Sequence, residues 1–153
     1  EKQLELLRNK VGMLNLYPVA NKMFAKLLAQ VLKLAATHSD IQTFDSKDLE
    51  SCLSNEGRIV LGSTVIRDTQ RRDLGAAVLT GCLKSSPCPM PANRTTAGAL
   101  LMVASSAMVG DPAVSKNLEA AFSYVGGRTE TMFSGVYVRE NVPGLIVLCL
   151  LAG

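Results

Sequence analysis

The chain has 153 residues, of which 48% are hydrophobic and 19% charged, and its formal net charge is +3. This composition supplies enough apolar material for the core of one domain, which argues against intrinsic disorder. The small net charge does not indicate a nucleic-acid-binding protein, and four widely spaced cysteines exclude a disulfide scaffold. We therefore expect an intracellular protein, in the cytoplasm or the nucleus.

The first stretch, EKQLELLRNKVGML, carries apolar residues at alternating steps of three and four. This spacing predicts a helix over residues 2–16 with its apolar side chains along one face. The residues of that face are Leu4, Leu7, Val11 and Leu14. We predict that this face binds a partner protein or a second copy of the chain.

The next helix is predicted over residues 19–36, where apolar and basic residues separate most clearly. At about 100° per residue, Phe24, Leu27 and Val31 fall on one broad arc. Three lysines, Lys22, Lys26 and Lys33, gather opposite that arc. This basic stripe is a candidate contact for nucleic-acid phosphates or another anion, or alternatively a solvated helix face.

Three further elements follow in chain order. Asp45 or Ser46 is expected to cap a short helix that Gly57 ends. The β-branched residues of 58–67 predict a strand with a bend or bulge at Gly62. Helical spacing returns after Thr69 and continues to Cys82.

The proline-rich residues 85–96 predict a loop that could divide the chain. The stretch that follows, TTAGALLMVASSAMVG, is apolar on every face and predicts a central buried helix. Asp111 and Pro112 predict the start of another helix, and residues 129–138 have the composition of a strand that could pair with 58–67. We therefore predict a mainly α fold, a bundle of about five to six helices with a short sheet or hairpin, spanning residues 1–153 as one helical interaction domain excised from a longer protein.

The closing run GLIVLCLLAG holds fewer apolar residues than the roughly 20 that a membrane-spanning helix needs. We therefore expect no membrane span in this fragment. Burial in the core is favoured for this run, and an oligomeric or partner interface is the alternative.

Residues for catalysis are sparse. His38 is the only histidine, and its place on the apolar arc favours a core or boundary position over a catalytic one. Neither a Walker-type loop nor a GxGxxG motif occurs, and no group of residues has zinc-ligand spacing. We predict no catalytic residue, no metal site and no cofactor.

A second basic group consists of Arg67, Arg71 and Arg72, whose guanidinium groups could hold phosphates or carboxylates. The function predicted from these patterns is a non-catalytic protein-protein interaction or self-assembly domain, a scaffold that binds another protein or itself. The alternative is a helical nucleic-acid-binding domain of a nucleoprotein-like or coat-like assembly, with the lysine stripe and the arginines as phosphate contacts.

Overall fold

The computed structural model describes residues 22–55, 59–86 and 95–153. Within these ranges the helices are α1 (Lys22–Ala35), α2 (Ser46–Leu53), α3 (Leu74–Ser85), α4 (Ser106–Gly110) and α5 (Pro112–Gly126). The strands are β1 (Ile59–Ile66), β2 (Thr95–Ala104), β3 (Thr129–Val138) and β4 (Leu145–Ala152). The helix predicted over residues 2–16 lies outside the described residues.

The predicted helical bundle is wrong, because a four-stranded mixed sheet organises the described residues into an α/β fold. The strand order is β1-β4-β2-β3. β4 runs antiparallel to both of its neighbours, with Gly62 paired to Cys149 on one side and Leu100 paired to Cys149 on the other. β3 pairs in parallel with β2, and not with β1 as its composition suggested.

The largest difference from the predicted elements is β2, where a buried helix was expected. All of its residues except Thr96 are buried, because helices cover both faces of the sheet. A strand buried on both faces shows no alternation of apolar and polar residues, so its sequence resembles that of a buried helix. Only the last part of the predicted helix, Ser106–Gly110, is helical.

Two hydrophobic cores lie on opposite faces of the sheet. Side chains alternate between them along each strand, so that in β4 Leu148 and Leu150 face one core while Val147 and Cys149 face the other. The first core packs beneath α1 and α2, and the second beneath α3 and α5. The closing apolar run is therefore core, as expected, and not a contact surface.

Helices α1, α2 and α5 form where the sequence predicted them, for local reasons. On α1 the apolar arc is buried, with Val31 fully enclosed. A capping box between Asp45 and Asp48 starts α2, and Asp111 caps α5 with Pro112 in its first turn. Helices α2 and α5 thus begin with a side chain that accepts from N–H groups of the first turn.

Glycines allow α3 to lie unusually close to the sheet. A Cβ atom at Gly62 of β1 would overlap the carbonyl oxygen of Cys82, and one at Gly81 would overlap the side chain of Thr64. Gly62 therefore marks a close approach of two backbones, and not only the bend that its position in a strand predicted.

The division predicted at residues 85–96 falls mostly on residues that are not described, so it stays a prediction. Among the described residues, no helix is both long and apolar enough to cross a membrane.

Candidate functional site

The C-terminal end of β3, which pairs in parallel with β2, meets the segment that joins α1 to α2. Such strand ends are a common place for binding sites in α/β proteins. Ile41 and Val138 lie here with 46% and 44% of their surface exposed, next to Arg139, His38 and Asp40. We call these five residues the strand-end surface.

The joining segment is fastened to the edge of β3. The backbone N–H of Val136 donates to the carbonyl oxygen of Gln42 at 2.8 Å, and the hydroxyl of Ser39 donates to the carbonyl oxygen of Val136. This bridge brings Ile41 beside the last residues of β3. The exposed apolar side chains therefore sit on backbone that is held in place.

Tyr137 adds a buried contact to the same segment. Its hydroxyl donates to the carbonyl oxygen of Phe44 and accepts from the N–H of Phe44, both at 3.1 Å. Burial, with the nearby Asp48 and Asp45 carboxylates, raises the pKa of Tyr137 against the opposing effect of the Phe44 hydrogen bond. The hydroxyl therefore stays protonated at neutral pH and can donate.

The acidic residues that follow are occupied with helix capping. The Asp45 carboxylate accepts from the N–H groups of Lys47 at 2.8 Å and Asp48 at 2.9 Å, and the Asp48 carboxylate accepts from the N–H of Asp45 at 3.1 Å. The Asp45 contacts agree with the prediction that Asp45 or Ser46 caps this helix.

A cleft of about 270 Å³ opens beside the strand-end surface, between the C-terminal half of α1 and the sheet. Its residues are Gln30, Lys33, Leu34, Val103, Arg139, Val142, Ile146 and Leu148. A smaller hollow of about 120 Å³ lies on the other side of Arg139, next to His38 and Tyr137.

His38 does not occupy the core or boundary position that its place on the apolar arc predicted. Its side chain is 82% exposed, and its Nε2 lies 3.5 Å from a carboxylate oxygen of Asp40, which is itself 99% exposed. A contact between two side chains this exposed contributes little to stability. In the described part of the chain no three His, Cys, Asp or Glu side chains are grouped to hold a metal ion.

The predicted basic residues do not come together. Lys22, Lys26 and Lys33 are exposed on α1, and of these only Lys33 borders the cleft. α1 packs on one face of the sheet, whereas the arginines precede α3, which packs on the other.

The arginine group itself is exposed at the start of α3. Arg67 and Arg72 are exposed, and Arg71 donates to Asp73 at 2.6 and 2.7 Å. These hydrogen bonds from Arg71 lower the pKa of Asp73. Anion binding by Arg67, Arg71 and Arg72 stays a prediction, as does partner binding by Leu4, Leu7, Val11 and Leu14, which lie outside the described residues.

Several residues of the strand-end surface and the cleft were not predicted from sequence. Arg139 directly follows a stretch with strand composition, which is a signal for a strand-end position. Ile41 and Val138 carry no such signal, because their exposure depends on how residues 37–45 pair with β3.

Solved structures share this fold. FtsZ from M. jannaschii, solved as an empty dimer, is 17% identical with a TM-score of 0.60, over 90% of this chain and 41% of its own. CetZ2 from Haloferax volcanii, solved as a GTPγS-bound protofilament, is 17% identical with a TM-score of 0.60, over 85% of this chain and 38% of its own. TubZ from Bacillus thuringiensis serovar israelensis, solved as GDP-form protofilaments, is 12% identical with a TM-score of 0.61, over 86% of this chain and 36% of its own.

The described chain therefore has a tubulin/FtsZ-like fold. It spans about two fifths or less of the length of these proteins. No family model matches the sequence, and no curated protein matches it.

The fold corrects the predicted function. The non-catalytic helical interaction or self-assembly domain is wrong, and so is the helical nucleic-acid-binding alternative, because the chain shares an α/β fold with FtsZ, CetZ and TubZ. The expectation that the chain belongs to no enzyme is also corrected, since proteins of this fold are solved in GDP and GTPγS forms.

Proposed function

We propose that this chain is one domain of a tubulin/FtsZ-like protein that self-associates into protofilaments in a nucleotide-dependent way. The observation that carries the proposal is the match of the mixed sheet and its helices to FtsZ, CetZ2 and TubZ, at TM-scores of 0.60, 0.60 and 0.61. CetZ2 and TubZ are solved as protofilaments, and FtsZ as a dimer.

A protofilament requires a particular kind of contact. Its subunits repeat along a line, so each subunit uses one surface to meet a different surface of the next. The strand-end surface suits one side of such a contact, because Ile41 and Val138 expose apolar side chains on backbone that hydrogen bonds hold in place. A pre-ordered surface loses less conformational entropy on binding than a mobile one.

We propose that the whole protein, of which this chain is one domain, binds and hydrolyses the nucleotide. The related proteins are solved with GTPγS or in a GDP form, which supports binding and hydrolysis of a guanine nucleotide. The sequence has no glycine-rich phosphate-binding motif of the Walker or GxGxxG type, so we assign none of its residues to the nucleotide.

The proposal places the protein in the cytoplasm, where nucleoside triphosphates are available. Cys52 is a buried cysteine outside any disulfide, which supports a reducing compartment. None of the comparisons supports a nuclear location.

The test is sedimentation and light scattering of the intact protein without nucleotide, with GDP and with GTPγS. We expect association that depends on protein concentration and on the nucleotide. Ile41→Lys and Val138→Lys should each raise the concentration at half-maximal association by about tenfold, because burying a lysine at an apolar contact is unfavourable.

The matched control is Leu32→Lys, which adds the same charge at a leucine of α1 that is 42% exposed. It should leave association unchanged. A protein that stays monomeric at every concentration in all three nucleotide conditions would contradict the proposed function.

Leu7→Asp and Val11→Asp test the proposal that the first apolar stretch contributes a contact. Reduced association of folded protein would support that role, and unchanged association would remove it.

A further inference from the structure

The cleft between α1 and the sheet combines an apolar floor with cationic sides. Leu34, Val103 and Leu148 form the floor and are each less than 5% exposed, while Val142 and Ile146 are half-buried. Lys33 approaches from α1, and Arg139 from the residues that follow β3. The two cations therefore belong to different elements and border the same apolar space.

Neither cation has an anionic partner in the described part of the chain. The contacts there between a carboxylate and a basic side chain within 4 Å join Asp40 to His38 and Asp73 to Arg71, and neither involves Lys33 or Arg139. Glu140, the carboxylate next in sequence to Arg139, accepts a hydrogen bond from the N–H of Ser106 at 3.1 Å instead. Among the described residues, Asp40 borders the smaller hollow with Arg139, but no carboxylate oxygen lies within 4 Å of Lys33 or Arg139.

We propose that this cleft binds an amphiphilic monocarboxylate, with its carboxylate between Arg139 and Lys33 and its apolar body against Leu34, Val103 and Leu148. A guanidinium group can donate two parallel hydrogen bonds to a carboxylate, and an ammonium group adds charge and a further donor. The apolar floor selects against small hydrophilic anions such as inorganic phosphate, which would leave it uncovered.

The volume limits the size of the ligand. At about 30 Å³ for each non-hydrogen atom, taking the share of a water molecule in the liquid, 270 Å³ holds on the order of ten such atoms. A medium-chain fatty acid of the size of octanoate matches this limit. Arg139 belongs to both the strand-end surface and the cleft, whereas Lys33, Leu34, Val103 and Leu148 belong to the cleft alone.

The experiment is a titration of the full chain with octanoate, followed by calorimetry and by NMR of the methyl groups. Octanoate should bind at one site and shift the methyl signals of Val103, Ile146 and Leu148. Octan-1-ol, which has the same chain without the charge, should bind at least tenfold more weakly, since a charge-assisted hydrogen bond contributes roughly twice as much as a neutral one.

Arg139→Gln and Lys33→Gln should each weaken octanoate binding by about tenfold and leave octan-1-ol binding unchanged. The matched control is Lys26→Gln, which removes the same charge from the same helix at a lysine that does not border the cleft. All three positions are exposed, so circular dichroism should show that each variant folds.

Four outcomes would overturn the inference. Three of them are no octanoate binding, equal binding of octanoate and octan-1-ol, and an effect of Lys26→Gln as large as those of the other two variants. Methyl shifts outside the cleft would also overturn it, because they would place the ligand elsewhere.

Discussion

Tyr137 shows how one buried hydroxyl fixes a surface segment. Its phenol ring lies in the first core, and its oxygen satisfies both backbone groups of Phe44, the buried residue directly before the N-cap of α2. Without that oxygen, a donor and an acceptor would be left without their partner in a buried place, which is costly.

Tyr137→Phe should therefore lower the free energy of unfolding by about 1–3 kcal/mol, measured by urea denaturation. The control is Tyr124→Phe, because Tyr124 is 44% exposed and its hydroxyl meets the exposed Arg128. That change should stay within about 0.5 kcal/mol of the wild type. Equal effects of the two substitutions would show that the Phe44 contact is not what stabilises the segment.

Gly62 is a second position where one residue decides the packing. Gly62→Ala should destabilise the fold by about 3 kcal/mol, because the added methyl group would meet the backbone of Cys82, which cannot turn away as a side chain can. Gly110→Ala is the control, since a Cβ there meets no atom within 4 Å. Thermal melting of both variants checks this, and a Gly62→Ala melting point equal to that of the wild type would contradict it.

The buried thiol of Cys52 should make the stability of the fold depend on pH. Burial, and then the charge of Asp48, raise the pKa of its thiol from 9.0 to about 12. The unfolded chain therefore loses this proton at lower pH than the folded chain, and stability should fall as pH rises above 9.

By pH 10 this loss should amount to about 1 kcal/mol in the wild type. Urea denaturation at pH 7 and pH 10 should show a smaller loss in Cys52→Ala, because that variant has no thiol to ionise. The same loss in both proteins would assign the pH dependence to other groups.

At the scale of elements, the sequence predicts those whose ends have local causes. Asp45 and Asp111 predict the starts of α2 and α5, because helix capping depends only on a few neighbouring residues. The β-branched residues of β1 likewise predict a strand from local composition alone. These features need no knowledge of the rest of the chain.

β2 could not be identified in this way. Its Ala, Leu and Met residues favour a helix, and only its pairing with β3 and β4 makes it a strand. The strand-end surface also depends on contacts between distant residues, since Tyr137 hydrogen-bonds to Phe44, 93 positions away in the chain. A contact between such distant residues depends on topology, so composition and spacing predicted Lys33 but not its neighbour Arg139.

At the scale of the whole molecule, β4 joins the two sides of the sheet. β1 and β2 both pair with β4 and are not adjacent to each other. A chain ending at Gly144 should therefore show no cooperative unfolding transition by circular dichroism, whereas a chain ending at Ala152 should keep it. A cooperative transition in the shorter chain would contradict this role of β4.

The place of β4 in the sequence has a consequence for synthesis. The ribosome delivers β1, β2 and β3 before it delivers the strand that belongs between the first two of them. Until then the facing edges of β1 and β2 carry open hydrogen-bonding groups, which other nascent chains can pair with. A chaperone that shields apolar strands late in translation would therefore protect the edges of β1 and β2 from pairing with other chains before β4 is made.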